Sequence, residues 1–181
     1  MLNRNSGRLR SKRLLMRKLE DRDAERIALL AGDWDIARMT ASIPYPYSVP
    51  LARAWMQGLE PDEFVRVVEH EGELIGAIGY LTRDDGSAEI GYWIGKPWWG
   101  RGFATEAASA LVHYCFSKLR MPRLTCSHFI DNPASERVIG KLGFKPVGTC
   151  SAWCDARNAE VETLVYERQR PRMTLFWRRA A

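Results

Sequence analysis

Over the first sixty residues the apolar positions are spaced as in one strand followed by two helices. Arg13 to Leu19 alternates apolar and polar side chains, and Asp21 or Asp23 can cap a helix carrying Ile27, Leu29 and Leu30. Ile43-Pro-Tyr-Pro-Tyr-Ser48 must interrupt this helical region, because each proline pushes the residue before it into extended conformation. A second helical piece, Leu51 to Leu59, follows. From Glu63 to Ile94 the period becomes two. Phe64 to His70, Glu73 to Thr82 and Ala88 to Ile94 read as strands, joined by Glu71-Gly72 and Asp84-Asp85-Gly86-Ser87 turns.

The period then returns to that of a helix. Ala104, Ala107, Ala108, Leu111, Val112, Cys115 and Leu119 recur at i, i+3, i+4, i+7 within Phe103 to Leu119. Arg123 to Phe129 is strand-like and Pro133 to Leu142 helical, and Lys145 to Trp153 and Val161 to Arg168 close the chain as two strands. Two short helices and a meander followed by β-α-β-α-β-β predict an α/β (α+β) domain. Its sheet is mixed, mostly antiparallel, with about seven strands and about four flanking helices by the order of these elements. No repeat or Gly/Ser/Pro linker divides the chain, so its 181 residues are read as a basic arm over 1–12 and one domain over 13–181.

Charge changes this picture little. The net charge is +5, yet ten of the 27 basic residues lie in 1–13 and 168–181, where there are no acids. The segment 14–167 keeps 17 basic against 22 acidic residues, an acidic body with two basic ends. Such a body suits a cationic partner better than an anionic polymer, so nucleic acid is expected at most as a weak contact of the ends. No apolar run approaches the roughly 20 residues of a membrane span, and residues 1–13 lack the apolar core of a secretory signal. The expectation is a cytoplasmic protein. The four cysteines form no C-x-x-C pair, and His128 with Cys150 and Cys154 lacks a fourth ligand, so no metal is expected.

Candidate chemistry gathers in two stretches. Trp98-Trp99-Gly100-Arg101-Gly102-Phe103-Ala104-Thr105-Glu106 lies between a strand and the long helix. Its glycines let backbone approach a ligand, and the first N–H groups of the helix point to the same place, which is how an anion cradle is made. An ordinary tight turn would use the same residues. The second stretch runs from Asp131 to Phe144, with Asn132 as N-cap, Pro133 at the first helical position and Gly143 at the C-terminal end. Capping alone explains it, but not its position one strand after the glycine-rich turn.

These two stretches together resemble the GNAT (Gcn5-related) N-acetyltransferases. The glycine-rich turn is similar to their pyrophosphate motif, [Q/R]-x-x-G-x-[G/A], with Trp99, Gly102 and Ala104 at its positions; the Asn132-x-x-Ser135 helix ending in Gly143-Phe144 is similar to their second acetyl-CoA motif. Glu89-Ile90-Gly91-Tyr92-Trp93-Ile94, the stretch from Trp99 to Ala107 and Ile43-Pro44-Tyr45-Pro46-Tyr47 resemble the Rim-type branch, which includes acetyltransferases of ribosomal-protein N-termini. The resemblance spans roughly Arg13 to Arg168 and departs at two points. Trp99 stands where many members have glutamine or arginine, and Ile139 stands where several have a tyrosine acid.

The resemblance implies direct attack of an amine on acetyl-CoA as co-substrate. It assigns the pyrophosphate to the N–H groups of Gly100, Arg101, Gly102, Phe103, Ala104 and Thr105, with Trp99 beside them, and the pantetheine arm to Trp93, Ile94 and Asn132. Alternation sets Glu89, Gly91 and Trp93 on one strand face, making Glu89 the candidate base; a surface glutamate paired with a basic residue is the plainer alternative. Ser135 is the candidate acid, against a capping role only. A thiol with a pKa near 8.5 needs little help to leave. The acceptor would meet Tyr45, Tyr47 and Trp153, which could equally be local packing.

An α-amine with a pKa near 7.7–8.0 needs a weaker base than a lysine near 10.4, so a peptide or protein N-terminus is preferred over a small-molecule amine. A small-molecule amine acetyltransferase and a non-catalytic acyl-CoA-binding protein are the alternatives. The chain is expected as monomer or homodimer.

Overall fold

The computed structural model describes residues 8–171. Among them, eight strands form one sheet in the order β1-β2-β3-β4-β5-β6-β8-β7. The strands are β1 (Leu9–Arg10), β2 (Leu14–Arg17), β3 (Glu63–His70), β4 (Glu73–Thr82), β5 (Ala88–Ile94), β6 (Arg123–Phe129), β7 (Lys145–Cys154) and β8 (Ala159–Gln169). The helices are α1 (Ala24–Ala31), α2 (Trp34–Ala37), α3 (Val49–Gln57), α4 (Phe103–Ser117) and α5 (Pro133–Lys141). The class and element order match the sequence reading. The additional strand, β1, is two residues long, and the additional helix, α2, four, too short for periodicity to register. Because Leu9 and Arg10 pair with Met16 and Leu15, the sheet starts inside the expected basic arm. Residues 1–7 and 172–181, with Arg4, Arg172, Arg178 and Arg179, lie outside the described residues.

All neighbouring strands are antiparallel except β5 and β6. Parallel strands need a crossover, and α4 provides it. The parallel register holds only for Ala88 with Leu124 and Glu89 with Thr125, so the rest of β5 has no partner on its β6 side. A larger core joins one face of the sheet to α4 and α5, through Ile78, Phe103, Leu111, Leu124, Ile139 and Phe144. A smaller one joins the other face to α1 and α3, through Ile27, Ala52, Val67 and Leu74. Helices on both faces explain why β4 reads as an almost continuous apolar run, Leu-Ile-Gly-Ala-Ile. No helix among the described residues is long and apolar enough to cross a membrane.

The start of α1 is tied to the sheet by charge. Arg17 on β2 donates Nη1 and Nη2 to the two oxygens of Asp23 at 2.7 and 2.8 Å, and Nε to Glu69 on β3 at 2.7 Å. Burial alone would push the Asp23 carboxyl up; hydrogen bonds from Arg17 and the Glu20 N–H outweigh it and hold the group below the ordinary carboxylate range. Asp23→Ala leaves a buried guanidinium short of its partner and should cost about 3 kcal/mol in denaturant unfolding. The wild-type contribution should be complete above about pH 4, the unfolded carboxylate value, and be lost as pH falls through the lower folded value; a pH series of unfolding midpoints in both proteins checks it.

Candidate active site

At the C-terminal end of β5, the short 3-10 turn Lys96–Trp98 leads into the loop that starts α4. Gly100 and Gly102 have φ of 74° and 78°, and Gly102 is the left-handed N-cap of α4. A side chain at either would be strained, whereas glycine is not. None of the N–H groups of residues 100–105 donates to a main-chain carbonyl; the first to do so is Glu106, bonded to Gly102 O at 3.0 Å. Around the position of a Cβ on Gly100 there is no atom within 4 Å, so the loop stands open. Arg101 lies exposed at its rim, with its guanidinium carbon 4.8 Å from the Phe103 ring centre. Unpaired N–H groups at the positive end of a 15-residue helix form a site for a phosphate-like anion.

A glutamate in the first turn would repel that anion unless its charge were taken up elsewhere. Glu106 turns to the N-terminal segment, accepting from Ser11 Oγ, Arg13 N and Arg13 Nε, each at 2.7 Å. Arg13 also donates to Arg101 O at 3.1 Å and lies over the Phe103 ring at 4.4 Å. Burial pushes the Glu106 carboxyl up, but the bonds from Ser11 and Arg13 hold it below its ordinary value. Trp99 does not face the cradle as a hydrogen-bond donor. Its Nε1 donates to Ile94 O at 2.6 Å, locking the loop to the end of β5. Glu106→Gln should therefore speed hydrogen exchange in residues 8–14 and cost about 1 kcal/mol in denaturant unfolding.

Across the gap between β5 and β6, Asn132 caps α5 by accepting the Ser135 N–H at 3.1 Å. This holds the Ser135 hydroxyl 3.1 Å from that of Tyr92 on β5. Burial raises the Tyr92 phenol to about 12, partly opposed by the Ser135 bond, so it is protonated at neutral pH and can donate. The sequence reading passed over Tyr92. Its signal was a hydroxyl on the apolar face that Ile90 and Ile94 share, where a polar group must find a partner. Ile139, by contrast, is 1% exposed and belongs to the core.

Glu89 is the last residue of β5 paired with β6, so it stands where the strands part. It is ion-paired through Oε2 to Arg83, with Ser127 Oγ 3.4 Å from Oε1. Glu89 thus has a basic partner while standing at the gap, on the face that it shares with Gly91 and Trp93. Trp93 packs against the cluster of α1 and α3.

The three aromatic residues assigned to the acceptor are dispersed. Tyr47 is packed in the α1 and α3 cluster, Tyr45 meets Trp34 edge-on at 5.1 Å, and Trp153 is exposed on β7 opposite Glu160. Their loops are nevertheless joined, because Asp155 N donates to Ala41 O at 2.9 Å and Arg157 Nε to Arg38 O at 2.6 Å. Arg157 also pairs with Asp131, beside Asn132. His128 and Cys154 are buried apart in separate hydrogen bonds, to Phe129 O and Tyr166 and to Arg38 O and Thr40 O. No group of three potential ligands is assembled among the described residues.

Comparison with known proteins matches residues 13–145 to the acetyltransferase (GNAT) domain. The N-acetyltransferase YoaA of Bacillus subtilis, itself uncharacterized, is 30% identical over 91% of this chain and 97% of its own length. The ribosomal-protein-serine acetyltransferase of Escherichia coli is 34% identical over 41% of this chain and 42% of its own. Among solved structures, RimL, a ribosomal L7/L12 α-N-protein acetyltransferase in complex with coenzyme A, superposes with a TM-score of 0.78 at 18% identity, covering 88% of this chain and 95% of that one. With the domain matched across the cradle and α5, and YoaA aligned along nearly the whole chain, this protein belongs to the GNAT acetyltransferase family.

Proposed function

We propose that the protein transfers the acetyl group of acetyl-CoA to a primary amine, with a peptide or protein N-terminus as the preferred acceptor. The observation that carries this is the row of unengaged N–H groups at 100–105, set at the end of a strand whose edge is free. These residues fit the co-substrate. The N–H groups and Arg101 suit the pyrophosphate, the free β5 edge around Trp93 and Ile94 suits the pantetheine amides, and Asn132 stands across the gap. The Ile94 carbonyl already accepts from Trp99, which keeps the edge aligned while leaving a second lone pair.

Acetyl-CoA supplies the acetyl group as a thioester: the amine nitrogen bonds to the carbonyl carbon, the C–S bond breaks, one proton leaves nitrogen and sulfur takes one up. Glu89, at the parting of the strands, receives the amine proton directly or through water. Ser135 hands a proton toward the sulfur and is replenished by the protonated Tyr92 hydroxyl 3.1 Å away, which regains its proton from solvent as product leaves. A carboxylate engaged by Arg83 gives limited help with deprotonation, which favours an α-amine over a lysine side chain. The likeness to the E. coli ribosomal-protein-serine acetyltransferase supports the same acceptor class.

Calorimetric titration with acetyl-CoA tests the reading. Wild type should bind at about micromolar Kd, near −8 kcal/mol, and a folded Gly102→Asp variant should show no binding, because its side chain puts strain and negative charge into the cradle. Failure of folded wild type to bind overturns the proposal. Tyr92→Phe should lower kcat about tenfold and Ser135→Ala by no less, with KM for acetyl-CoA little changed, as expected for groups that act in the transition state. Steady-state kinetics on N-terminal peptides reads both.

A further inference from the structure

A cavity of about 240 Å³ lies on the α3 side of the sheet, beside the parting of β5 and β6. Strand register explains its shape. Glu63, Leu81 and Glu89 form one cross-strand row, and the next is Val65, Gly79 and Gly91. Two adjacent glycines leave that second row without side chains in its centre, and a Cβ on Gly91 would meet no atom within 4 Å. The third row is Val67, Ala77 and Trp93, of which Ala77 lines the cavity. Trp55 of α3 and Ser42 also line the cavity. It is therefore a depression with an apolar, aromatic surround on one side and a row carrying two carboxylates on the other.

The charges around it are one-sided. Glu63 lines the cavity, and no lysine, arginine or histidine does. In the carboxylate row, Glu89 is bound to Arg83, which follows the end of β4. Glu63 accepts the Glu60 N–H through Oε2 at 3.1 Å, which fixes its carboxylate while leaving its other oxygen available.

We infer that Glu63 is a specificity-determining residue that accepts a hydrogen bond from the acceptor's neutral amino group and excludes amines bearing a nearby carboxylate, so that amides and peptide N-termini are acetylated and free α-amino acids are not. The inference rests on the proposed acetyl transfer and adds the residue that selects the acceptor. The volume is below the 300–1,000 Å³ usual for drug-sized ligands and suits one terminal residue with the remainder of its chain outside. A free amino acid carries its carboxylate on the carbon that bears the amine and would set it in a cavity lined by a like charge and by no cation, which discriminates by repulsion rather than by fit.

The test compares acetylation of L-alaninamide and L-serinamide with that of L-alanine and L-serine, in wild type, Glu63→Gln and Gly91→Val, with acetyl-CoA affinity measured separately. Following the ratio of kcat/KM values across variants cancels the intrinsic difference between the amines. Wild type should favour the amides. In Glu63→Gln the amide KM should rise about tenfold with kcat nearly unchanged, because the interaction is made equally in ground and transition states, and the preference over free amino acids should shrink by a similar factor. Gly91→Val, which fills the cavity in an extended strand, should raise the amide KM while acetyl-CoA still binds. An unchanged preference in Glu63→Gln, or an unchanged amide KM in Gly91→Val, overturns this inference alone. Acetylation of N-terminal peptides but of none of the four amines also overturns this inference alone, whereas acetylation of neither by wild type that binds acetyl-CoA overturns the acetyl-transfer reading, and this inference with it.

Discussion

One parallel strand pair in an otherwise antiparallel sheet sets the conditions for everything else in this protein. Antiparallel neighbours can be joined by a turn, but β5 and β6 need a crossover, and the crossover is α4. Its N-terminus has to begin where β5 ends, so its unpaired N–H groups arrive at the carboxyl end of the sheet. The parallel register lasts for two residue pairs before the strands separate. A row of unbonded N–H groups and an open strand edge are thus adjacent because of connectivity, as at the switch points of other open sheets.

The proposed chemistry divides between the two sheet faces. Even-numbered β5 residues face α4 and α5, which brings the Tyr92 hydroxyl to Ser135; odd-numbered ones face α3, which places Glu89 and Gly91 beside the cavity. Alternation along a single strand therefore separates a proton donor, kept protonated by burial, from a carboxylate that stays half-exposed. Two groups of opposite proton demand on opposite sides of one strand do not neutralise each other. Residue type sets which gives and which receives, since at neutral pH a phenol is protonated and a carboxylate is not, and the strand keeps the two apart.

The cradle depends on a residue far away in the chain. Arg13 and Ser11 absorb the charge of Glu106, leaving the helix start available to an anion, and Arg13 also bonds the loop carbonyl at Arg101. Trp99 secures the other side by its bond to Ile94 O. This accounts for the departure from glutamine or arginine at position 99, where the indole stabilises the shape of the site and adds no charge to it.

The sequence alone was enough for the element order, the glycine-rich helix start, the Asn132 cap and the family resemblance, because each is a local matter of period, positive φ or capping geometry. Periods of 2 and 3.6 are written in successive residues, and an N-cap needs only its own helix. What needed tertiary structure was every pairing between distant residues: Glu106 with Arg13, Tyr92 with Ser135, Glu89 with Arg83, and Glu63 level with Glu89 across three strands. Tyr47 shows the same limit from the other side, since only the tertiary structure shows that this ring, open to acceptor contact or local packing in the sequence, packs against α1 and α3. Strand register and the parting of β5 from β6 are properties of the whole sheet, and no local pattern encodes which side chains they bring together.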